Sequence, residues 1–185
     1  MVKSLFFIVA AAIGSVAAHG VITSPPPRAP GAALESVCGS GPTQVLSSDL
    51  TAPIENAVKK AGTDTTSDCA LFLCRGLRLE DNLENIQTFP AGTTVPITIN
   101  LRVKHIGPAN VSVINTQTQT LIGEPLFNWP VYADPANPQA NETAFSVTVP
   151  DLGGQCADAG VCALQWWWFG DLVSQTYESC IDFVQ

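Results

Sequence analysis

Residues 92–105, GTTVPITINLRVKH, alternate without a break from Val95 to Val103. Val95, Ile97, Ile99, Leu101 and Val103 fall on one side, and Thr94, Thr98, Asn100 and Arg102 on the other. That period of two marks a strand with one buried face. Pro96 has no N–H to give to a ladder, so the strand is expected at a sheet edge or at a bulge. Further alternating or apolar runs recur at 110–115, 143–149, 162–169 and 177–184, separated by Gly, Pro and Asn. Many short strands between turn signals predict an antiparallel sandwich. Helical signals are confined to 49–83. There SDLTAPIENAVKK (48–60) has a cap candidate in Ser48 or Asp49, and SDCALFLCRGL (67–77) could make two turns ending at Gly76.

The first 18 residues read differently. Lys3 supplies a positive start, 5–13 an apolar run and Val16-Ala17-Ala18 a small-residue cleavage site, as in a secretory signal peptide. Cleavage after Ala18 would make His19 the first residue. The run is shorter than the ~20 residues of a membrane-spanning helix and none like it follows, so the chain is expected to be secreted, extracellular and soluble. Residues 19–185 then fit a single domain, without repeats or linkers, and are expected to be a monomer. Without Lys3, seven basic side chains face sixteen acidic ones, a net charge of about −9. Nucleic acid and anionic membranes are therefore unfavoured partners. The sequons at Asn110 and Asn141 make those residues candidate glycosylation sites.

Six cysteines in an oxidising compartment predict three disulfides. Local spacing suggests Cys69 with Cys74 and Cys156 with Cys162, leaving Cys38 with Cys180. This is one of the fifteen pairings that six cysteines allow.

The chain has only two histidines, His19 and His105. An N-terminal histidine offers an α-amine and a ring Nδ1 that close a chelate ring on one metal, and a second imidazole completes a T-shaped set of three nitrogens. Cu(II) prefers such tetragonal nitrogen sites. The amine, with an unperturbed pKa near ~8, must lose its proton to bind, so affinity should weaken on acidification. Each histidine also has an ordinary reading: His19 by chance at a cleavage point, His105 as a core residue continuing the parity that begins at Val95. A hydrolase lacks an evident machinery, because no Ser-His-Asp set can be assembled and Asp151, Asp158, Asp171 and Asp182 contain no pair that spacing singles out.

Four stretches, HGVITSPPPR (19–28), KHIGPANVSV (104–113), CALQWWWFG (162–170) and SQTYESCIDF (174–183), together roughly a quarter of the chain after residue 18, resemble the lytic polysaccharide monooxygenases (LPMOs). These are copper enzymes with a histidine brace. The resemblance extends to secreted fungal proteins of the type-4 chitin-binding kind, some associated with virulence. It implies an immunoglobulin or fibronectin III-like sandwich with one mononuclear copper. His19 and His105 would be the ligands and Tyr177, three residues before Cys180, the axial neighbour. Gln175 or Gln165 would be the amide beside a copper-bound oxygen species. The implied activity is oxidative cleavage of a polysaccharide such as chitin or cellulose, with an external electron donor and peroxide or dioxygen. Some brace-bearing relatives lack detectable oxidation, so a copper- or carbohydrate-binding protein acting at a cell surface or on a host is the other implied role.

Ordinary readings stand beside these assignments. Tyr177 fits a core tyrosine on the face of Ile181 and Phe183, and either glutamine fits a buried amide bonded to backbone. At least one of Trp166, Trp167 and Trp168 must point into the sandwich. Trp129 and Tyr132, in the proline-rich EPLFNWPVYADP (124–135), are expected on a loop that could form a binding face. The stiff SPPP at 24–27 and Arg28 would hold the N-terminal segment in place.

Overall fold

In the computed structural model, which describes residues 19–185, the alternating stretch forms β3 (Thr94–Val103). The signal peptide read at 1–18 lies outside the described residues. Val95, Ile97 and Ile99 are buried, whereas Thr94, Pro96, Thr98 and Asn100 are exposed. β3 is the middle strand of a three-stranded antiparallel sheet, between β1 (His19–Ser24) and β6 (Ala144–Thr148). The edge position expected from Pro96 is thus corrected. β1 pairs no further along β3 than Thr98, so Pro96 has a partner strand on only one side.

The second sheet has five strands. Its order is β2 (Gln87–Thr88), β8 (Gln175–Val184), β7 (Cys162–Gly170), β4 (Gly107–Asn115) and β5 (Thr120–Tyr132). All its pairings are antiparallel except the two-residue β2–β8 contact. The two sheets make an immunoglobulin-like β-sandwich, packed face to face on one apolar core. Ile22, Ile97 and Ile99 of the smaller sheet and Val111, Leu164, Trp166, Trp168, Tyr177 and Phe183 of the larger are all buried there.

β5 replaces the loop expected at 124–132. It is the edge strand of its sheet, where Pro125 and Pro130 leave few inward ladder bonds unmade. A bulge around Gly123, at φ +73°, absorbs the irregular stretch between Ile122 and Phe127. Trp129 and Tyr132 consequently sit in the core, with ring centroids 5.1 Å apart, and form no binding face. Trp166 and Trp168 are also fully buried. Trp167 points to the opposite side of the sheet and stacks on Phe169 at 6.3 Å.

Residues 25–85 form a helical layer over the outer face of β8. It holds α1 (Ala32–Cys38), α2 (Ser40–Ser48), α3 (Ile54–Val58) and three single 3₁₀ turns. Helix thus begins upstream of 49, and α3 is preceded by Pro53 rather than capped by Ser48 or Asp49. Of the stretch 67–77 only Cys74–Gly76 is helical. The caps come from afar: the Asp81 carboxylate accepts from the N–H groups of Ala33 and Leu34 at 2.9 and 3.0 Å, and Asp64 from that of Ser40 at 3.0 Å. None of the described helices is long and apolar enough to cross a membrane.

All six cysteines are bridged, as Cys38–Cys69, Cys74–Cys180 and Cys156–Cys162. Two of the three expected pairs are therefore corrected. α1 ends over the loop at 66–70, where Thr66 N–H donates to the Val37 carbonyl at 2.9 Å, and this brings Cys38 to Cys69. Cys74 instead packs with Ile114, Ala163 and Cys180 on the outer face of the larger sheet.

Candidate metal centre

The register of β1 on β3 sets His19 opposite Val103. His105 follows two residues beyond that point, in the turn into β4, so both histidines stand at one end of the sandwich and both are half-buried. A Cβ on Gly170 would lie 3.2 Å from the His105 Cβ, which places His105 over the β7–β8 connection. Gly170 pairs with Gln175, and Tyr177 lies two residues further along β8.

Gln175 and Tyr177 act as a unit. The phenol O–H donates to Gln175 Oε1 at 2.7 Å, and the ring stacks on Trp168 with centroids 4.5 Å apart. Burial pushes the Tyr177 phenol up from its ordinary value. The Glu55 and Asp49 carboxylates add to the rise and Arg75 opposes it, so the group stays protonated. Gly20 connects this cluster to His19: a Cβ there would stand 3.0 Å from the Trp166 ring and 3.4 Å from that of Trp168. A small residue after His19 lets β1 lie close on the tryptophans.

Gln165 does not join the group. It pairs with Ser112 and Cys180 on the outer side of the sheet, opposite the face that carries Tyr177. Of the two glutamines, only Gln175 is at the histidine end. The sequon asparagines are both half-buried: Asn110, mid-strand in β4, accepts from Ser112 Oγ at 3.0 Å, and Asn141 accepts from Trp129 Nε1 at 3.4 Å.

A second ring of residues could not be picked out from the sequence. His19 Nε2 lies 3.1 Å from Asp49 Oδ2. A carboxylate on Nε2 fixes the imidazole plane and favours the tautomer whose acceptor nitrogen is Nδ1, the one nearer the main chain. Burial pushes the Asp49 carboxyl up, but Thr51 Oγ1 and N–H, His19 and Arg102 outweigh it and hold the group below the usual range. Thr51 in turn accepts the Gly20 N–H at 3.1 Å.

Arg75 fastens this loop. Its buried guanidinium donates to the carbonyls of Leu50 and Ala52, on either side of Thr51. Its backbone N–H donates to Glu178 Oε2 at 3.2 Å, on the strand of Tyr177. Burial lowers the guanidinium to about 10, a value at which it remains charged. α3 closes the same end: the Glu55 carboxylate accepts from Thr176 N–H and Oγ1 at 2.8 to 3.0 Å. The only trace of these contacts in the sequence is Asp49-Leu-Thr51, an Asp two residues before a Thr, which suits a turn closed by the side chain.

Among the described residues no group of three or more His, Cys, Asp or Glu side chains is gathered as a metal site. A brace requires only two, because its third donor is a main-chain amine. Two imidazoles at one end, one of them oriented by a carboxylate, fit the nitrogen-rich donor set that copper prefers.

No family model matches the chain, and no curated protein matches it. Among solved structures, the cellulose-active LPMO CelS2, in complex with copper, aligns over 90% of this chain and 98% of that one, with 14% identity and a TM-score of 0.45.

Proposed function

We propose that the secreted chain begins at His19, binds one copper ion, and oxidatively cleaves a polysaccharide such as chitin or cellulose as an LPMO-like enzyme. The carrying observation is convergence: the two histidines stand at one end of the sandwich, beside Gln175 and Tyr177. The His19 amine and ring and the His105 ring would hold the ion. Copper held there would supply the oxidising chemistry for a glycosidic C–H bond, given an external electron donor and peroxide or dioxygen.

The protein's own part is orientation and exclusion. Asp49 holds the His19 ring by Nε2, and Thr51 holds the following peptide. Tyr177, buried and neutral, is held by stacking on Trp168 with its hydroxyl fixed on Gln175. Tyr177 is 1% exposed and packed in the core, so water is excluded from its side of the site.

One observation favours the non-catalytic reading in which copper is bound without turnover. Trp129, Tyr132, Trp166 and Trp168 are in the core, so they cannot offer a stacking face to a sugar ring.

Intact mass and N-terminal sequencing, then copper titration followed by EPR, test the site. A terminus at His19 with one type-2 copper, lost in His105→Ala, supports it. Full copper affinity in a natively folded His105→Ala protein would overturn it. Oxidised oligosaccharides released with ascorbate and peroxide separate the enzyme from the binder.

A further inference from the structure

The chain is acidic, and its basic side chains are almost all committed. Arg28 is paired with Asp182, Arg78 with Glu80, Arg102 with Asp49 and Lys104 with Glu142. Arg75 is buried on two carbonyls. Lys59 and Lys60 remain: both are exposed, and among the described residues neither ammonium group has an ion pair or a hydrogen bond.

These two lysines share one recess with His19. It is an open recess of about 330 Å³, with His19, Asp49 and Asn56 on its wall beside Lys59 and Lys60. Asp49 faces the Arg102 guanidinium and accepts from the Thr51 donors, so the unmatched charge of the recess is that of the ammonium groups. The backbone beneath them is fixed. Gly41 of α2 approaches so closely that a Cβ there would stand 2.2 Å from the Lys60 carbonyl oxygen. Ser48 and Asn56 offer hydrogen bonds to hydroxyl groups, and Val45 and Ala52 offer apolar contact to C–H faces.

We infer that this recess binds a carboxylated sugar, a uronic acid unit of an anionic glycan, with its carboxylate at Lys59 and Lys60 and its neighbouring unit at His19. Carboxylate, hydroxyl and C–H faces are the three features that these walls complement, and the ammonium pair gives the charged unit its preference over a neutral hexose. Placement of the next glycosidic bond at the reacting end rests on the copper reading above. The binding itself does not.

The test uses the secreted, copper-loaded protein at fixed 0.15 M salt, with tetragalacturonate, cellotetraose and a short polyglutamate as probes in calorimetric titration. The expected result is about tenfold or greater preference for tetragalacturonate over both others. Lys59→Gln/Lys60→Gln should lose that preference with the EPR spectrum and melting temperature unchanged. Equal binding of cellotetraose, equal binding of polyglutamate, or an unaffected double variant would each overturn the assignment. If the protein takes up no copper yet binds tetragalacturonate through the lysines, the recess stands and the copper reading falls.

Discussion

The two faces of β8 are built on different principles. Facing the core, Tyr177, Ile181 and Phe183 join a cluster in which each residue touches several others. Facing the helical layer, each alternate residue has one designated partner: Glu55 for Thr176, Arg75 for Glu178, Cys74 for Cys180 and Arg28 for Asp182. Those partners are 121, 103, 106 and 154 residues away in sequence. The inner face tolerates compromise because dispersion contacts are many and small. The outer face does not, since removing one member of a buried polar pair strands the other. The second kind of contact also positions Asp49, Thr51 and so the peptide after His19.

The largest effect is expected from the covalent link of the outer face. In the loop-entropy view of disulfides, the stabilisation grows with the closed loop. Cys74 and Cys180 are 106 residues apart, Cys38 and Cys69 31, and Cys156 and Cys162 six. Paired alanine substitutions should cost about 5 kcal/mol for the first bridge and about 2 kcal/mol for the last, with Cys38 and Cys69 between. Urea unfolding measures the order. A reversed order would mean that contacts around each bridge outweigh the loop it closes.

On the inner face the largest single loss is expected at Trp168, buried against Tyr132, Trp166 and Tyr177. Trp168→Ala should cost about 4 kcal/mol by lost transfer energy and cavity formation. Because neighbours can relax, Trp168→Phe should recover more than half, as read from the urea midpoint. No such recovery would make the inner face as specific as the outer.

This contrast also explains what could be read in the sequence. β3 carries a clean period of two, and β4, β6, β7 and β8 stand out as alternating or apolar runs, because burial dictates residue type locally. β5 hides behind Pro125 and Pro130, acceptable only because tertiary structure makes it an edge. α1 and α2 lack local side-chain caps because Asp81 and Asp64 supply them across the fold. At the candidate site, His19 and His105 stand out as the chain's only histidines, and Tyr177 only through the family resemblance of SQTYESCIDF (174–183). Asp49, Glu55 and Arg75 are ordinary charged residues until folding brings them to β1 and β8.

Arg28 and Asp182 test the outer face directly. Arg28 Nε and Nη2 donate to the two Asp182 oxygens at 2.7 Å each, and both side chains are nearly inaccessible, at 8% and 2% exposure. Arg28→Met should cost about 3 kcal/mol, since it leaves a buried carboxylate without its counter-charge. Adding Asp182→Leu should restore most of the loss. The Leu77 carbonyl, which Arg28 Nη1 also serves at 2.8 Å, accounts for what remains. If the double variant is no better than the single one, the pair contributes net stability beyond avoiding a stranded charge.

Tyr177 lies between the two regimes and is expected to show the smallest effect. Its ring belongs to the inner face, stacked on Trp168, whereas its hydroxyl donates to Gln175. Tyr177→Phe keeps the stacking and deletes the hydrogen bond to Gln175, so it should cost about 1 kcal/mol. The Gln175 amide, half-buried at the end of the strand, can turn toward water and recover a partner. A loss of about 3 kcal/mol instead would place the hydroxyl among the designated contacts of the outer face. The Gln175 side-chain amide signals in an NMR spectrum distinguish the two, because a reoriented amide exchanges its protons faster and a stranded one does not.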